Sequence, residues 1–270
     1  MRIDIACNIT SEQFKNPNEV IERAKNSLTI PIFVGVDFES SKKSLELAKT
    51  YNTLCYVGLH PTHSEEHFGD EIKIQNLLED ENVIAIGECG LDYLRTEFSS
   101  KEIQKKVFIN QLEIKGDRYF LHSRDSHRDF MEITGDYSFS GVVHSFTGTQ
   151  DESKDLIRKG FFIGINGCSL KTEEGLEMVK SLPLDKILVE TDSPYCKIRK
   201  SYAGFKFLSP REEIKILRKR NEPCSLDQVI EVISKLKEVE IEELDSILLK
   251  NSKDFFGIKI EEVIDFWRKK

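Results

Sequence analysis

"VIAIGECGLDY", residues 83–93, is an apolar run that ends in acidic residues. Val83 to Ile86 is rich in β-branched residues and lacks polar alternation, which is typical of a parallel strand buried on both faces. Glu88 follows at once between two glycines, and Asp92 lies four residues further on. Burying Glu88 without a partner would cost several kcal/mol or force it to stay neutral. A positive charge is therefore expected at the end of this strand.

Similar apolar runs recur along the chain and alternate with helix-like segments. In residues 99–114, "SSKEIQKKVFINQLEI", Ile103, Val107 and Ile114 share one helical face. Strands that alternate with helices predict parallel βαβ units, hence an α/β fold of the (β/α)8 TIM-barrel type, with an open doubly wound sheet as the alternative. The eight predicted strands are Arg2–Cys7, Ile30–Val36, Leu54–Leu59, Val83–Gly87, Tyr119–His122, Gly141–His144, Phe161–Ile165 and Ile187–Glu190.

Length and composition favour one domain over residues 1–270, because α/β barrels of about 250 residues fold as one unit. No stretch approaches the roughly 18 consecutive apolar residues of a membrane span, and the N-terminus lacks the features of a signal peptide. The six cysteines are scattered and never form C-x-x-C, which argues against a zinc ribbon and against a secreted disulfide framework. We expect a cytoplasmic or nuclear protein that is not secreted, with a monomer favoured.

The charge distribution is uneven. Residues 197–220 contain nine basic and two acidic residues, a net charge of +7, which leaves −15 on the remainder of a chain whose total is −8. Most such charge runs are solvated surfaces. The interleaved aromatic residues, among them Tyr195 and Tyr202, also fit an arm that contacts phosphates and stacks on bases.

Residues able to bind metal or phosphate follow five of the predicted strands. In a (β/α)8 barrel the carboxyl ends of the strands form the catalytic face, so these residues should meet there. Each one alone has an ordinary alternative as a buried hydrogen-bonded ring, a helix cap or an ion-pair member. Together they suit a divalent cation. They are His60 after strand three, Glu88 after strand four, His122 and Arg124 after strand five, His144 after strand six and Asp192 after strand eight.

Eight short motifs in order along nearly the whole chain resemble those of the TatD-type metal-dependent nucleases, in particular the eukaryotic branch. The resemblance implies an amidohydrolase-like barrel that hydrolyses DNA phosphodiesters, as a 3′-5′ exonuclease with endonuclease activity as a second mode. The motifs are "DIACNIT", "GLHPT", "IGECGLDY", "LHSRDSHRDF", "VHSFTGT", "IGINGCSLKT", "ETDSPY" and "RNEP".

Residue by residue, the resemblance implies one or two divalent cations, Mg²⁺ before Mn²⁺ or Zn²⁺. Glu88, His122, His144 and Asp192 match the metal ligands of the family, and Asp192 and Glu88 match its catalytic carboxylates. His60 falls where the family has a histidine near the substrate phosphate. Arg124 is expected to hold phosphate as well.

The chain departs from many relatives at the end of strand one. Where they carry H-x-H, this chain has Ala6 and Asn8, which makes a tightly held second metal doubtful. Two other functions therefore stay open. One is a metal-dependent amidohydrolase or esterase acting on a small or tRNA-linked substrate, since fold does not determine function. The other is a metal-poor binding protein.

Overall fold

Eight parallel strands form one sheet whose order follows the chain from first to last. The computed structural model describes residues 1–114, 116–210, 217 and 219–269. Each strand is paired with the next in sequence, as the TIM-barrel prediction requires. The strands are β1 Arg2–Cys7, β2 Thr29–Phe33, β3 Cys55–Val57, β4 Val83–Asp92, β5 Arg118–Arg124, β6 Ser140–Val143, β7 Phe162–Ile165 and β8 Ile187–Val189.

The first and last strands meet just beyond the end of β8. Cys7 and Ser193 form a parallel bridge, and Asn8 N donates a hydrogen bond to Ser193 O at 2.7 Å. This contact brings the sheet round into a barrel and excludes the alternative of an open doubly wound sheet, whose strand order would reverse. The TIM-barrel prediction is confirmed.

The β4 strand is longer than its apolar run predicts. All ten of its residues are buried, and its pairing with β5 continues to Asp92 opposite Arg124. Gly87 and Gly90 explain why polar residues can be part of it. A Cβ atom would lie 2.2 Å from Phe120 O at Gly87 and 2.0 Å from His122 O at Gly90. Glycine is therefore required on both sides of Glu88 for β5 to approach closely.

Helices cover the outside of the sheet, including three that follow Cys224. Amphipathic helices bury one face each; in the helix Lys101–Glu113, the buried residues include Val107, Phe108 and Leu112. No helix in the described part of the chain is long and apolar enough to cross a membrane. The helices are α1 Pro17–Asn26, α2 Phe38–Tyr51, α3 Glu71–Leu77, α4 Lys101–Glu113, α5 His127–Gly135, α6 Gln150–Arg158, α7 Glu173–Ser181, α8 Leu226–Lys237, α9 Ile241–Phe256 and α10 Ile258–Arg268.

Candidate metal centre

Three predicted ligands converge at the carboxyl ends of β4, β5 and β6. Glu88 Oε1 lies 2.8 Å from His122 Nδ1 and 2.7 Å from His144 Nε2. The two imidazole nitrogens are 3.2 Å apart. The Glu88 and His144 side chains are almost fully buried, while 14% of the His122 side chain is exposed. The cluster thus lies at the floor of the barrel mouth, with an opening on the His122 side.

The spacing of these three atoms fits one shared divalent cation. Ligands about 2.0–2.1 Å from one ion, at tetrahedral or octahedral angles, lie roughly 2.9–3.4 Å from each other. The three observed separations are close to that range. Two imidazole nitrogens and a carboxylate oxygen are also the mixed donor set of transition-metal sites. The residues present therefore fit a divalent metal ion.

A second carboxylate lies behind each of the two imidazoles. His122 Nε2 lies 3.4 Å from Asp92 Oδ2, and His144 Nδ1 lies 3.3 Å from Glu190 Oε1. Asp92 and Glu190 are both fully buried. Metal-binding histidines usually donate their remote N–H to a carboxylate, which fixes the tautomer and strengthens the donor nitrogen. Each histidine here has a buried carboxylate within ion-pair distance of its remote nitrogen, with Nδ1 of His122 and Nε2 of His144 left to face the shared point.

Glu190 is held in turn by the segments that follow β6 and β7. Its Oε1 accepts hydrogen bonds from Ser145 N at 2.7 Å and from Asn166 Nδ2 at 2.9 Å. Asn166 also donates to Ser145 Oγ at 2.9 Å. This network orients the carboxylate that orients His144, so the ends of β6, β7 and β8 act together on one ligand.

His60 lies beside the cluster as a neutral ring. Burial lowers the pKa of His60 to about 4. Its Nδ1 accepts a hydrogen bond from Thr62 N at 3.1 Å, which leaves the proton on Nε2. His60 Nε2 lies 3.3 Å from Glu88 Oε1. The ring therefore presents an N–H group to Glu88 and supports its negative charge.

The ionisation of the cluster follows from these contacts. Burial alone would raise the pKa of Glu88, but the imidazoles of His144, His60 and His122 outweigh it and hold this pKa well below its usual range. Burial would lower the pKa of His144, yet Glu88 and Glu190 raise it well above its usual value. The carboxylates thus create a place where positive charge is favoured, whether protons or a metal ion supply it.

Asp192, the fourth predicted ligand, lies outside the three-atom group. Its Oδ1 accepts a hydrogen bond from Asn8 Nδ2 at 2.9 Å, and its Oδ2 accepts one from the Cys196 thiol at 3.2 Å. Burial raises the pKa of Asp192 to about 6, although His144 opposes this effect. The sequence treats Asn8 only as a weak metal ligand and gives no sign of this contact, in which the amide at the end of β1 orients the carboxylate at the end of β8.

A further buried carboxylate braces the segment between Glu190 and Asp192. Asp4 Oδ1 accepts a hydrogen bond from Thr191 N at 2.8 Å, and Asp4 Oδ2 lies 2.6 Å from Thr191 Oγ1. Asp4 is on β1 and is fully buried. Because Thr191 is the residue between Glu190 and Asp192, Asp4 sets the direction of both neighbouring carboxylates.

Arg124, predicted to bind phosphate, is placed at the rim. Its side chain is 41% exposed, and Nη1 lies 3.9 Å from Asp92 Oδ2. Arg124 is therefore partly exposed to solvent while it stays within ion-pair distance of Asp92, the carboxylate behind His122.

The basic segment 197–220 divides into paired and exposed cations. Lys206 pairs with Glu173, Arg220 pairs with Glu222, and Lys197 Nζ donates to Leu217 O. Arg199, Lys200 and Lys219 are exposed. Arg211, Lys215 and Arg218 lie outside the described residues. Among the described residues of the segment, Arg199 and Lys200 are the exposed cations that directly follow the Asp192 loop.

Several functional residues were not predicted from sequence. Asp92, Glu190, Asn8 and Asp4 are at or near strand ends, but nothing in their local sequence distinguishes a carboxylate that binds metal from one that orients a ligand. The strand-end position is the one available signal for Asp92 and Glu190. Asp4 has none, because a single aspartate within an apolar strand is compatible with many kinds of contact.

The fold and the cluster define this chain as a (β/α)8 barrel with a histidine–carboxylate cluster that could hold a metal ion at the carboxyl ends of its strands. The family model described as "TatD related DNase" matches residues 3–257, and the chain belongs to this family.

Individual relatives agree with the family. A protein of Vairimorpha ceranae, named a TATDN1 homolog and provisionally a deoxyribonuclease, is 54% identical over 99% of this chain and 100% of its own length. A protein of Erwinia billingiae named "3'-5' ssDNA/RNA exonuclease TatD" is 34% identical over 94% of this chain and 98% of its own. The crystal structure of a TatD family hydrolase from Entamoeba histolytica superimposes with a TM-score of 0.88 at 29% identity, covering 95% of this chain and 98% of the other.

Proposed function

We propose that this protein is a metal-dependent deoxyribonuclease that hydrolyses DNA phosphodiester bonds, acting from the 3′ end. The observation that carries the proposal is the convergence of Glu88, His122 and His144 on one point, with a buried carboxylate behind each imidazole. The family, and the exonuclease named in Erwinia billingiae, support DNA as the substrate.

In this proposal Glu88, His122 and His144 hold one divalent cation, and Asp192 completes the site from the opposite side of the mouth. A bound cation would lower the pKa of a water ligand and polarise the phosphoryl oxygens. Mg²⁺ is the expectation from the sequence, whereas two imidazole donors also suit Mn²⁺ or Zn²⁺. A metal titration decides among the three ions.

Asp192 is proposed to be the general base. With a pKa of about 6 it is ionised at neutral pH, yet basic enough to accept a proton from the attacking water. Asn8 holds Oδ1, so the carboxylate keeps one orientation while Oδ2 exchanges hydrogen-bond partners. In a product-bound enzyme the same proton would pass to the leaving oxygen or to solvent.

Substrate phosphates are proposed to contact Arg124 at the rim and Arg199 and Lys200 beyond it. The sequence predicts a phosphate contact for His60 as well. Its N–H group faces Glu88 and only 8% of the residue is exposed, which favours a role in positioning Glu88. Exposed cations on an otherwise acidic protein would draw DNA to the metal-containing mouth.

An end-labelled oligonucleotide digestion tests the proposal. Wild-type protein should shorten single-stranded DNA with Mg²⁺ or Mn²⁺ and should be inactive in EDTA. A block at the 3′ end should stop it, and a block at the 5′ end should not. Glu88→Gln should abolish activity, because it replaces an anionic ligand with a neutral amide. Glu71→Gln is a matched control, since Glu71 is a buried glutamate that bonds to Asn110 on the outer helices.

Undiminished digestion in EDTA would refute the metal-dependent mechanism. Hydrolysis of small amides or esters without any DNA cleavage would instead favour the amidohydrolase alternative.

A further inference from the structure

Two cysteines meet beside Asp192, in the loops that follow β7 and β8. Their sulfur atoms are 2.7 Å apart, and the Cys168 thiol donates to Cys196 Sγ. The Cys196 thiol donates in turn to Asp192 Oδ2 at 3.2 Å. Two thiols and the proposed general base therefore form one continuous chain of hydrogen bonds.

Backbone packing fixes the two cysteines in this position. Asn166 Oδ1 accepts a hydrogen bond from Cys168 N at 2.8 Å. At Gly167 a Cβ atom would lie 2.0 Å from Cys196 O, so the two loops pack backbone against backbone. The sulfur atoms need to approach by only about 0.7 Å to reach the length of a disulfide bond. Little rearrangement separates the two thiols from a bond.

The pair is also accessible to a small oxidant. Cys168 and Cys196 are both half-buried, whereas Cys7, Cys55 and Cys89 are buried. Cys224 is half-buried too, but among the described residues no second thiol lies within hydrogen-bonding distance of it. Accessibility together with a neighbouring thiol is the arrangement of a reversible redox pair.

We propose that Cys168 and Cys196 form a reversible disulfide when the protein meets hydrogen peroxide, and that this bond lowers catalysis by removing the thiol donor from Asp192. The effect on catalysis rests on the proposed nuclease function. Disulfide formation itself does not.

The chemistry balances in two steps. The Cys168 sulfur attacks one peroxide oxygen, the O–O bond breaks, and Cys168 sulfenic acid forms while the released hydroxide takes the thiol proton and leaves as water. The Cys196 sulfur then attacks the Cys168 sulfur, the S–O bond breaks, and this hydroxide leaves as a second water with the Cys196 proton. Two thiols are oxidised by two electrons in total, and one peroxide is reduced to two waters.

The consequence for Asp192 follows from the loss of the thiol proton. In the disulfide, Cys196 has no hydrogen to donate, so Oδ2 loses its only described donor while Oδ1 keeps Asn8. Pulling Cys196 towards Cys168 also draws its sulfur away from the carboxylate. The Asp192 carboxylate, the proposed general base, then keeps only the hydrogen bond from Asn8 of these two.

Peptide mapping tests the bond directly. The purified full-length protein is treated with peroxide, the remaining thiols are alkylated, and the protein is digested without reductant. We expect a peptide pair joined through Cys168 and Cys196, lighter by two hydrogen atoms and separated again by dithiothreitol. Free alkylated Cys168 and Cys196 at a peroxide dose that oxidises Cys224 would overturn the proposal.

Activity on single-stranded DNA tests the coupling. Peroxide should lower the rate about tenfold in wild type and in Cys224→Ser, in line with losing one hydrogen bond to a charged group, and dithiothreitol should restore it. After peroxide treatment, Cys168→Ser should form no disulfide and should keep the rate of the untreated, reduced protein. Cys168→Ala provides the same test if the serine variant folds poorly. A mapped disulfide with an unchanged rate would overturn the coupling to Asp192. If the reduced protein has no nuclease activity, the proposed function is refuted. The peptide mapping would still show whether Cys168 and Cys196 form a disulfide.

Discussion

Replacing the buried Asp4 with asparagine should make the protein less sensitive to alkaline pH. Burial raises the pKa of Asp4 from the 3.8 of an exposed aspartate to about 8, against the hydrogen bonds from Thr191 and Ala6. Because the folded state holds this proton more tightly than the unfolded state, Asp4 stabilises the fold fully below about pH 4. That contribution is lost as the pH rises towards 8.

The size of the effect follows from the linkage relation. Each pH unit between these two pKa values costs about 1.4 kcal/mol of the free energy of unfolding. From pH 5 to pH 7 the wild type should therefore lose about 3 kcal/mol relative to Asp4→Asn, and the difference should level off above about pH 8. The asparagine can still accept from Thr191 N. Its amide can donate to Thr191 Oγ1 once that hydroxyl turns its own hydrogen to Ala6 O, so the two proteins should be similar near pH 4.

Urea unfolding of both proteins at each pH unit from 5 to 9 provides the measurement. Asp129→Asn is a matched control on the surface, where an ion pair with Lys105 and a hydrogen bond from Tyr93 lower the pKa of the carboxyl. Its stabilisation is lost only at acidic pH, so its difference from wild type should stay constant over this range. A constant difference for Asp4→Asn as well would refute the assignment of a neutral buried acid.

Three further predictions concern the metal centre and the DNA. In thermal unfolding, Mn²⁺ at 100 times its dissociation constant should stabilise wild type by about 2.7 kcal/mol and leave Glu88→Gln unchanged; equal stabilisation of both would place the ion elsewhere. Metal affinity should weaken as the pH falls, because protons compete with the metal for His122 and His144. Against burial, the neighbouring carboxylates Asp92, Glu88 and Glu190 raise the pKa values of these two histidines. Calorimetry should therefore show proton release on metal binding, and no release would contradict the charged cluster. Changing Arg199 and Lys200 together to alanine should reduce the salt slope of single-strand binding by about 1.4 without slowing a small chromogenic phosphodiester, whereas equal loss on both substrates would mean damage to the fold.

Sequence alone determined the barrel and the three residues that converge at its mouth. Strands of buried apolar residues alternating with helices leave few arrangements other than a parallel barrel. In a parallel barrel all strands end on the same face, so Glu88, His122 and His144 had to come near one another whatever the details of packing. His122 and His144 lie 34 and 56 positions after Glu88 in the chain, and no local feature links residues so far apart. Their meeting could be predicted only from this topological rule and from the order of the motifs.

The tertiary structure alone decided the roles of the other carboxylates. Glu190 and Asp192 are two residues apart at one strand end, yet Glu190 lies behind His144 while Asp192 meets Asn8 and Cys196. The difference arises because Asp4 holds Thr191 between them and Asn166 holds Glu190, contacts that come from β1 and from the end of β7. A carboxylate has the same chemistry in any sequence. Whether it binds a metal, orients a ligand or stays protonated depends on its burial and on neighbours that only the closed barrel brings within hydrogen-bonding distance.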